Sequence, residues 1–349
     1  MALKGIGRVS PNPRVGAVIV RNGKIVAEGY HAFFGGPHAE ADALSKLKPG
    51  KTDGCTLYVN LEPCNHQGKT PPCSEAIIRS GIPRVVIGVS DPNPLVAGKG
   101  IRKLKSAGIE VLSGILEEEC LRINEAFFKF ITRKIPFVTL KIAQTLDGKI
   151  ATQSGRSKWI TGEASRRRVH RMRRESDAIL VGIDTVLADD PELTTRLVPG
   201  PQPKRIVLDS ALRIPLDSRL MRTSGSEKTI VVTLAGASMQ KIRAIRTLGA
   251  EVWAIHDNTE GRVDIRSFLT KAAEEGITSI LVEGGKGIFT SMLKTGLVDR
   301  IVLFTAPKLF GTGVEAFDDL GVQGPEDAVR FRSVRWNRSG SDMVFEGRL

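Results

Sequence analysis

Pro37-His-Ala-Glu40 and Leu61-Glu-Pro-Cys-Asn-His-Gln-Gly-Lys-Thr-Pro-Pro-Cys73 are the stretches that decide how this chain reads. His38 stands at the start of a predicted helix, His38 to Leu47. Cys64 directly follows a predicted strand, Cys55 to Leu61, and Cys73 opens a short helix that Gly81 ends. One imidazole and two thiolates fill three corners of a tetrahedral zinc site, and a catalytic site keeps the fourth for water. Zinc brings the pKa of that water down to about 7 in favourable sites. Glu40, two residues from His38, falls near such a metal without ligating it, where a carboxylate can carry a proton from water to departing ammonia. The order matches the H-x-E…P-C-x-x-C pattern of zinc deaminases, except that eight residues separate the two cysteines instead of two. His66 lies inside that insertion as a competing ligand. A fourth protein ligand would close the site and make the metal structural.

Working outward, Val15 to Val20 and Lys24 to Tyr30 read as strands joined by Asn22-Gly23, a hairpin signal. Arg84 to Val89 is a further strand, and Ile101 to Ser106 and Glu117 to Phe130 read as helices. A β-hairpin followed by alternating helices and strands predicts an α/β domain. Near Arg133-Lys-Ile-Pro136 the pattern restarts with Phe137 to Lys141, so the expected domains are 1–134 and 135–349. In the second, strands are expected at Ala178 to Val181, Arg205 to Leu208, Thr229 to Thr233, Glu251 to Ala254, Ser279 to Val282 and Arg300 to Thr305. Helices are expected at Ser165 to Arg174, Lys241 to Leu248, Ile265 to Glu275 and Gly287 to Lys294. Glu283-Gly-Gly-Lys-Gly287 links a strand to a helix, and glycines there let backbone N–H groups approach a phosphate. It is not G-x-G-x-x-G, and a purely structural turn is the alternative.

The 349 residues are 41% hydrophobic and 26% charged, ordinary for a globular protein. No apolar run of about 18 residues predicts a membrane span. The start, Met1-Ala-Leu-Lys-Gly, is too short and polar for an export signal, so a cytoplasmic location is expected. There disulfides are disfavoured, and Cys55 and Cys120 read as packing residues. The net charge is +13, which suits either nucleic acid or a small anionic substrate. The one basic cluster, Arg166-Arg-Arg168 and Arg171-Met-Arg-Arg174, is either a solvated helix face or a phosphate contact.

The long cysteine spacing resembles one branch, the bifunctional riboflavin-biosynthesis deaminase/reductases. So do Ser10-Pro-Asn-Pro-Arg-Val-Gly16 and Asp91-Pro-Asn-Pro-Leu-Val-Ala-Gly98. In the second half, Lys141-Ile-Ala-Gln-Thr-Leu-Asp-Gly-Lys149, Ser157-Lys-Trp-Ile-Thr161, Thr185-Val-Leu-Ala-Asp-Asp-Pro191, Glu283-Gly-Gly285 and Ala306-Pro-Lys-Leu-Phe-Gly311 carry the likeness. It spans nearly the whole chain. It implies a cytidine-deaminase-like α/β/α domain followed by a dihydrofolate-reductase-like α/β domain. It implies a diaminopyrimidinone substrate with a phosphoribosylamino group, losing its 2-amino group in the first domain. NADPH in the second then reduces the ribosyl chain to ribityl. No nucleic acid or membrane partner is expected, and a homo-oligomer is.

By the same resemblance, His38, Cys64 and Cys73 hold Zn2+ and Glu40 is catalytic. Asn12 contacts the substrate near its base, and His31 and Lys69 contact its phosphate end. Lys141 and Glu283 assist hydride transfer, for which a proton must reach the sugar ring oxygen. Ser157, Arg173, Leu193, Arg196 and Glu283 match substrate contacts, with Arg173 and Arg196 on the 5-phosphate. Ala143, Trp159, Thr185, Asp189 and Ser210 match cofactor contacts, and Gly284, Gly285, Lys286, Gly287, Ile288 and Phe289 the pyrophosphate cradle. Trp159 as a core residue is the alternative to its cofactor role. Two departures stand out. Few residues precede Gly5, where the family usually has a longer helix, and Asp184 occupies a position where glycine is common. The rival functions are a tRNA or nucleotide deaminase with an appended domain, and a binding protein clipped by structural zinc.

Overall fold

The computed structural model describes residues 1–48, 50–67, 71–94 and 96–349. The chain divides into two compact units, Met1–Lys134 and Ile135–Leu349. In the first, strands β1 (Gly16–Arg21) and β2 (Lys24–Tyr30) form the expected hairpin. Its turn residues, Asn22 and Gly23, have φ of 51° and 73°, the left-handed values that a two-residue hairpin turn demands. Helix α1 (Ala39–Ser45), β3 (Cys55–Leu61), α2 (Cys73–Ser80), β4 (Arg84–Val89), α3 (Lys99–Ser106) and β5 (Glu110–Ser113) follow, then α4 (Glu117–Ile123) and α5 (Glu125–Arg133). The five-stranded sheet has the order β2-β1-β3-β4-β5. Its hairpin half is antiparallel, and β3, β4 and β5 are parallel. Ala17, Ile19, Leu57, Val59, Val85 and Ile87 bury one face against Ala39, Ala43, Ile77 and Leu104 of the helices.

The single helix expected from Glu117 to Phe130 is instead two. Asn124 breaks it because its buried amide serves a distant segment: Oδ1 accepts from the Arg14 N–H (2.7 Å) and Nδ2 donates to the Arg14 carbonyl (3.0 Å). Strand β5 had no clear signal because its four residues are mostly exposed and carry no strong apolar alternation.

The second unit contains β6 (Phe137–Thr145), β7 (Lys149–Thr152), α6 (Glu163–Glu175), β8 (Ala178–Gly182), α7 (Ile183–Asp189), β9 (Lys204–Leu208), α8 (Arg219–Arg222), β10 (Thr229–Leu234) and α9 (Met239–Thr247). It continues with β11 (Glu251–Ile255), α10 (Ile265–Glu274), β12 (Ser279–Val282), α11 (Lys286–Lys294), β13 (Arg300–Ala306), β14 (Gly313–Glu315), β15 (Ser333–Ser339) and β16 (Asp342–Arg348). Nine strands form one sheet in the order β11-β10-β9-β8-β12-β6-β13-β16-β15. All are parallel up to β13, and β16 and β15 close the edge antiparallel. Apolar clusters pack on both faces of the sheet, so the parallel strands read as continuous hydrophobic runs. The edge hairpin, rich in Arg, Ser and Asn, was not evident from pattern alone. The chain runs outward from β8 to β11 and then returns β12 between β8 and β6. That reversal opens crevices at the carboxyl ends of β8, β12 and β6, where α/β sheets bind ligands.

Among the described residues no helix is long and apolar enough to cross a membrane.

Candidate active sites

The first unit brings His38, Cys64 and Cys73 together, their ligand atoms all within 4.8 Å of one another. The His38 Nδ1 faces both sulfurs, 3.5 Å from Cys64 and 3.2 Å from Cys73. Zinc–sulfur and zinc–nitrogen bonds of about 2.3 and 2.0 Å at tetrahedral angles set the corresponding edge at about 3.5 Å, so the donor set fits zinc. The backbone is responsible. His38 caps α1 in extended conformation, Cys64 leaves the end of β3, and Cys73 is the first residue of α2. The Cys73 N–H also points at the Cys64 sulfur, at 3.4 Å. Cys73 donates to Cys64, holding the Cys64 thiol down at about 4 and pushing the Cys73 thiol upward. The hydrogen bond to Cys64 raises His38. His66 is exposed and does not join the cluster. Lys69 lies outside the described residues.

Glu40, on the first turn of α1, is buried. Burial, then the Cys64 charge, push its carboxyl up to about 7; a divalent cation beside it opposes that shift. These groups face a cavity of about 370 Å³ also bounded by Asn12, His31, Glu62 and Asp91. His31 is buried with its Nδ1 2.9 Å from the Pro37 carbonyl, so Nδ1 carries the proton. Its Nε2 then accepts from the Asn12 amide at 3.1 Å. Burial lowers the pKa of His31 and keeps it neutral. Asn12 therefore presents its carbonyl to the cavity in a set orientation.

Glu62, two residues before Cys64, has a structural role that the local sequence does not signal. Its buried carboxylate accepts three backbone N–H bonds, from Asp91 (3.2 Å), Gly98 (3.0 Å) and Ile101 (3.1 Å). It thereby ties the start of α3 and the preceding loop to the cysteine-bearing strand end. Asp91 is buried in that loop, and burial pushes its carboxyl up to about 6.

In the second unit two cavities flank Glu283-Gly284. One, of about 400 Å³, is lined by Lys141, Ala143, Ser157, Trp159, His170, Arg173, Asp189, Leu193, Arg196 and Glu283. Glu283 accepts two bonds from Arg173, at 2.6 and 2.9 Å, and its Oε2 is 3.8 Å from the Lys141 Nζ. Burial works against the Glu283 charge, but Arg173 holds its pKa below the usual range; burial lowers Lys141. Arg173 spends its remaining edge on the Thr194 carbonyl (3.0 Å). The guanidinium expected at the 5-phosphate is thus bonded to Glu283 and the Thr194 loop in this structure. Arg196 is exposed and pairs only at 3.4 Å with Glu192. Ser157 donates to both Asp189 oxygens, at 2.9 and 3.1 Å, so the expected substrate and cofactor contacts are neighbours on one wall. Trp159 is 66% exposed with Arg166 stacked 4.4 Å above it, which rules out the core alternative.

The other cavity, of about 550 Å³, is lined by Thr185, Ser210 and Gly284 through Ile288. Gly285 has φ of 71°, and a Cβ on Gly284 would lie 2.7 Å from the Thr185 hydroxyl. Only glycines let the β12–α11 turn lie against the start of α7, and that leaves backbone N–H groups facing open space at the start of α11. The turn thus fits a dinucleotide's pyrophosphate. The Phe289 side chain is buried against Phe317 and does not line the cavity, so any part it takes in the cradle is through its backbone. Ala143, Trp159 and Asp189, expected at the cofactor, line the Lys141 cavity.

Residues 136–345 match the family model for the RibD C-terminal domain, and residues 2–89 that for the cytidine and deoxycytidylate deaminase zinc-binding region. A riboflavin biosynthesis protein RibD of Actinobacillus pleuropneumoniae is 47% identical, covering 99% of this chain and 92% of its own. The chain belongs to the RibD family. An Aquifex aeolicus RibD is also 47% identical, covering 99% of this chain and 94% of its own. A Thermotoga maritima crystal structure, titled a diaminohydroxyphosphoribosylaminopyrimidine deaminase/5-amino-6-(5-phosphoribosylamino)uracil reductase, superposes with a TM-score of 0.86. It is 42% identical, covering 99% of this chain and 95% of its own. An Acinetobacter baumannii RibD structure gives 0.87 at 35% identity, covering 100% of this chain and 96% of its own. As a RibD, the chain is a bifunctional deaminase/reductase of riboflavin biosynthesis, with a zinc deaminase domain and an NADPH-using reductase domain. Within the arginine cluster, Arg167, Arg168, Arg173 and Arg174 meet Glu163, Glu346, Glu283 and Glu175, while Arg166 lines the Lys141 cavity.

Proposed function

We propose the following division of work among this chain's residues. His38, Cys64 and Cys73 hold the zinc, which when bound supplies an acidified water as nucleophile. Glu40 takes a proton from that water and delivers it to the departing amine, the work of a carboxylate placed within reach of both. Asn12, oriented by neutral His31, offers its carbonyl to the pyrimidine, and Lys69 is read as a contact to the phosphate end. The observation that carries this reading is the three-cornered donor set with a buried, non-ligating carboxylate two residues along, on the first turn of α1.

In the second unit NADPH, when bound, supplies the hydride, with Thr185, Ser210 and Gly284 to Ile288 holding it. Lys141, made a better acid by burial, gives its proton to the sugar ring oxygen. Glu283, kept ionised by Arg173, anchors Lys141 rather than donating. Ser157 and Asp189 shape the substrate wall with Leu193, and Arg196 is the phosphate contact the geometry supports. Trp159 and Ala143 border the region between substrate and cofactor.

The partner is thus a small phosphorylated pyrimidine, without nucleic acid or membrane. A reducing cytoplasm suits the four free cysteines. Leu3, Tyr58, Ile115 and Leu116, all exposed around a groove of the first unit, support a homo-oligomer.

Incubation with 2,5-diamino-6-(5-phosphoribosylamino)pyrimidin-4-one, following ammonia and NADPH separately, tests the whole. Glu40→Gln should retain zinc and lose ammonia release by about 10²-fold or more. Undiminished turnover in that variant removes Glu40 from its role.

A further inference from the structure

The cavity assigned above to the dinucleotide has a cationic end that the glycine turn does not explain. Arg213 follows Ser210 by three residues, and Arg262 precedes Val263, whose N–H is bonded to the Ser210 hydroxyl at 3.1 Å. Both arginines therefore border the cavity around Ser210, beyond the end of β9, while Lys286 borders it at the glycine turn. Each of the three cations has an acidic companion: Arg213–Asp184 at 2.7 Å, Arg262–Glu260 at 3.9 Å and Lys286–Asp318 at 2.6 Å. All three pairs are substantially exposed. Exposed pairs hold weakly, so a doubly charged phosphate that accepts bidentate bonds can take a guanidinium from its carboxylate.

Position in the sheet separates the roles. The pyrophosphate belongs at the glycine turn after β12. Strand β9 lies one strand beyond β8, on the side away from β12, where the far, adenosine end of a dinucleotide bound at that turn would lie. A nearby arginine is the usual means of accepting the 2′-phosphate that distinguishes NADP from NAD. Asp184 is the unusual element. It occupies the first turn of α7, next to Thr185, and its carboxylate points at Arg213.

We infer that Arg213 and Arg262 form the 2′-phosphate subsite that makes this reductase choose NADPH over NADH, and that Asp184 weakens that choice by competing for Arg213. The inference rests on reading this cavity as the nucleotide site. Without the 2′-phosphate, Arg213 stays on Asp184 and Arg262 near Glu260. With it, both guanidiniums turn to the phosphate, and Asp184 is left as a like charge beside it.

The test is calorimetric titration of the full-length, zinc-loaded protein with adenosine 2′,5′-bisphosphate and, separately, with 5′-AMP. The wild-type chain should bind the bisphosphate more tightly. Arg213→Met and Arg262→Met should each weaken the bisphosphate about ten-fold, the size of a charge-assisted hydrogen bond, with 5′-AMP unchanged. Asp184→Asn, a surface change that keeps side-chain shape, should strengthen the bisphosphate by up to about five-fold and likewise spare 5′-AMP. The KM ratio of NADH to NADPH should fall in the two arginine variants and rise in Asp184→Asn. Equal weakening of both ligands, or of neither, in the arginine variants overturns the subsite. An unchanged ligand ratio in Asp184→Asn overturns the competition. Failure of the wild-type chain to bind either ligand overturns the nucleotide reading of the cavity itself.

Discussion

Glu283 sits between two cations with only 6% of its side chain exposed, and both Arg173 and Lys141 depend on it. Glu283→Ala leaves two buried positive charges facing each other. That should cost about 3–5 kcal/mol of stability as well as NADPH oxidation, so lost activity alone would be ambiguous. Glu283→Gln keeps the shape and part of the hydrogen bonding. It should slow reduction at least ten-fold while ammonia release continues unchanged; equal loss of both activities would indicate unfolding instead. His170, one turn before Arg173, shows a separate effect. Burial first, then Arg173, Arg196 and Lys141, lower its pKa to about 4 against the partial opposition of Glu283. Unfolded, it titrates near 6.5, so between about 6.5 and 4 the unfolded chain binds the extra proton. Its contribution is therefore complete above about pH 6.5 and is lost as pH falls toward 4. Denaturation at pH 7.5 and pH 5 should show a larger drop for the wild-type chain than for His170→Asn, and equal drops would remove His170 as the cause.

Among the elements, the joins matter more than the spans. The break between α4 and α5 exists because Asn124 turns its amide to the backbone of Arg14, two residues beyond Asn12. Asn124→Ala should destabilise the first unit by about 1–3 kcal/mol, the cost of a buried backbone group losing its partner. Chemical denaturation of the zinc-loaded chain measures this, and a stability unchanged from wild type would refute the anchoring role. Glu62 does comparable work at the start of α3. Neither join was legible beforehand, because each partner is dozens of residues away and a helical pattern carries no record of it. The turn of the β1–β2 hairpin was legible at Asn22-Gly23, since Asn-Gly encodes its own left-handed backbone, while β1 runs Gly16–Arg21 rather than the expected Val15 to Val20.

For the whole molecule, chemistry is divided by unit: among the described residues, those proposed for the deaminase site lie in Met1–Lys134 and those proposed for the reductase site in Ile135–Leu349. Removing zinc with a chelator should abolish ammonia release and lower the thermal stability of the first unit. NADPH oxidation on already deaminated substrate should persist. Loss of that oxidation along with the metal would show that the two units do not operate separately.

The local sequence was sufficient for the metal site, the glycine turn and the alternating α/β pattern. A ligand at a helix start, a ligand after a strand and a glycine with positive φ are all properties of adjacent residues. Tertiary structure alone determined which charges meet. Arg173, expected at a phosphate, meets Glu283 because the β6–β12–β8 order places that carboxylate beside it. Ala143, Trp159 and Asp189 meet at the Lys141 crevice, a grouping that no local pattern carries. Arg262 has no local signature at all. It borders Ser210 only because Val263 reaches across to that hydroxyl. Charge pairing is a matter of a few ångströms across strands that are distant in sequence, and those distances exist only once the sheet has ordered its strands.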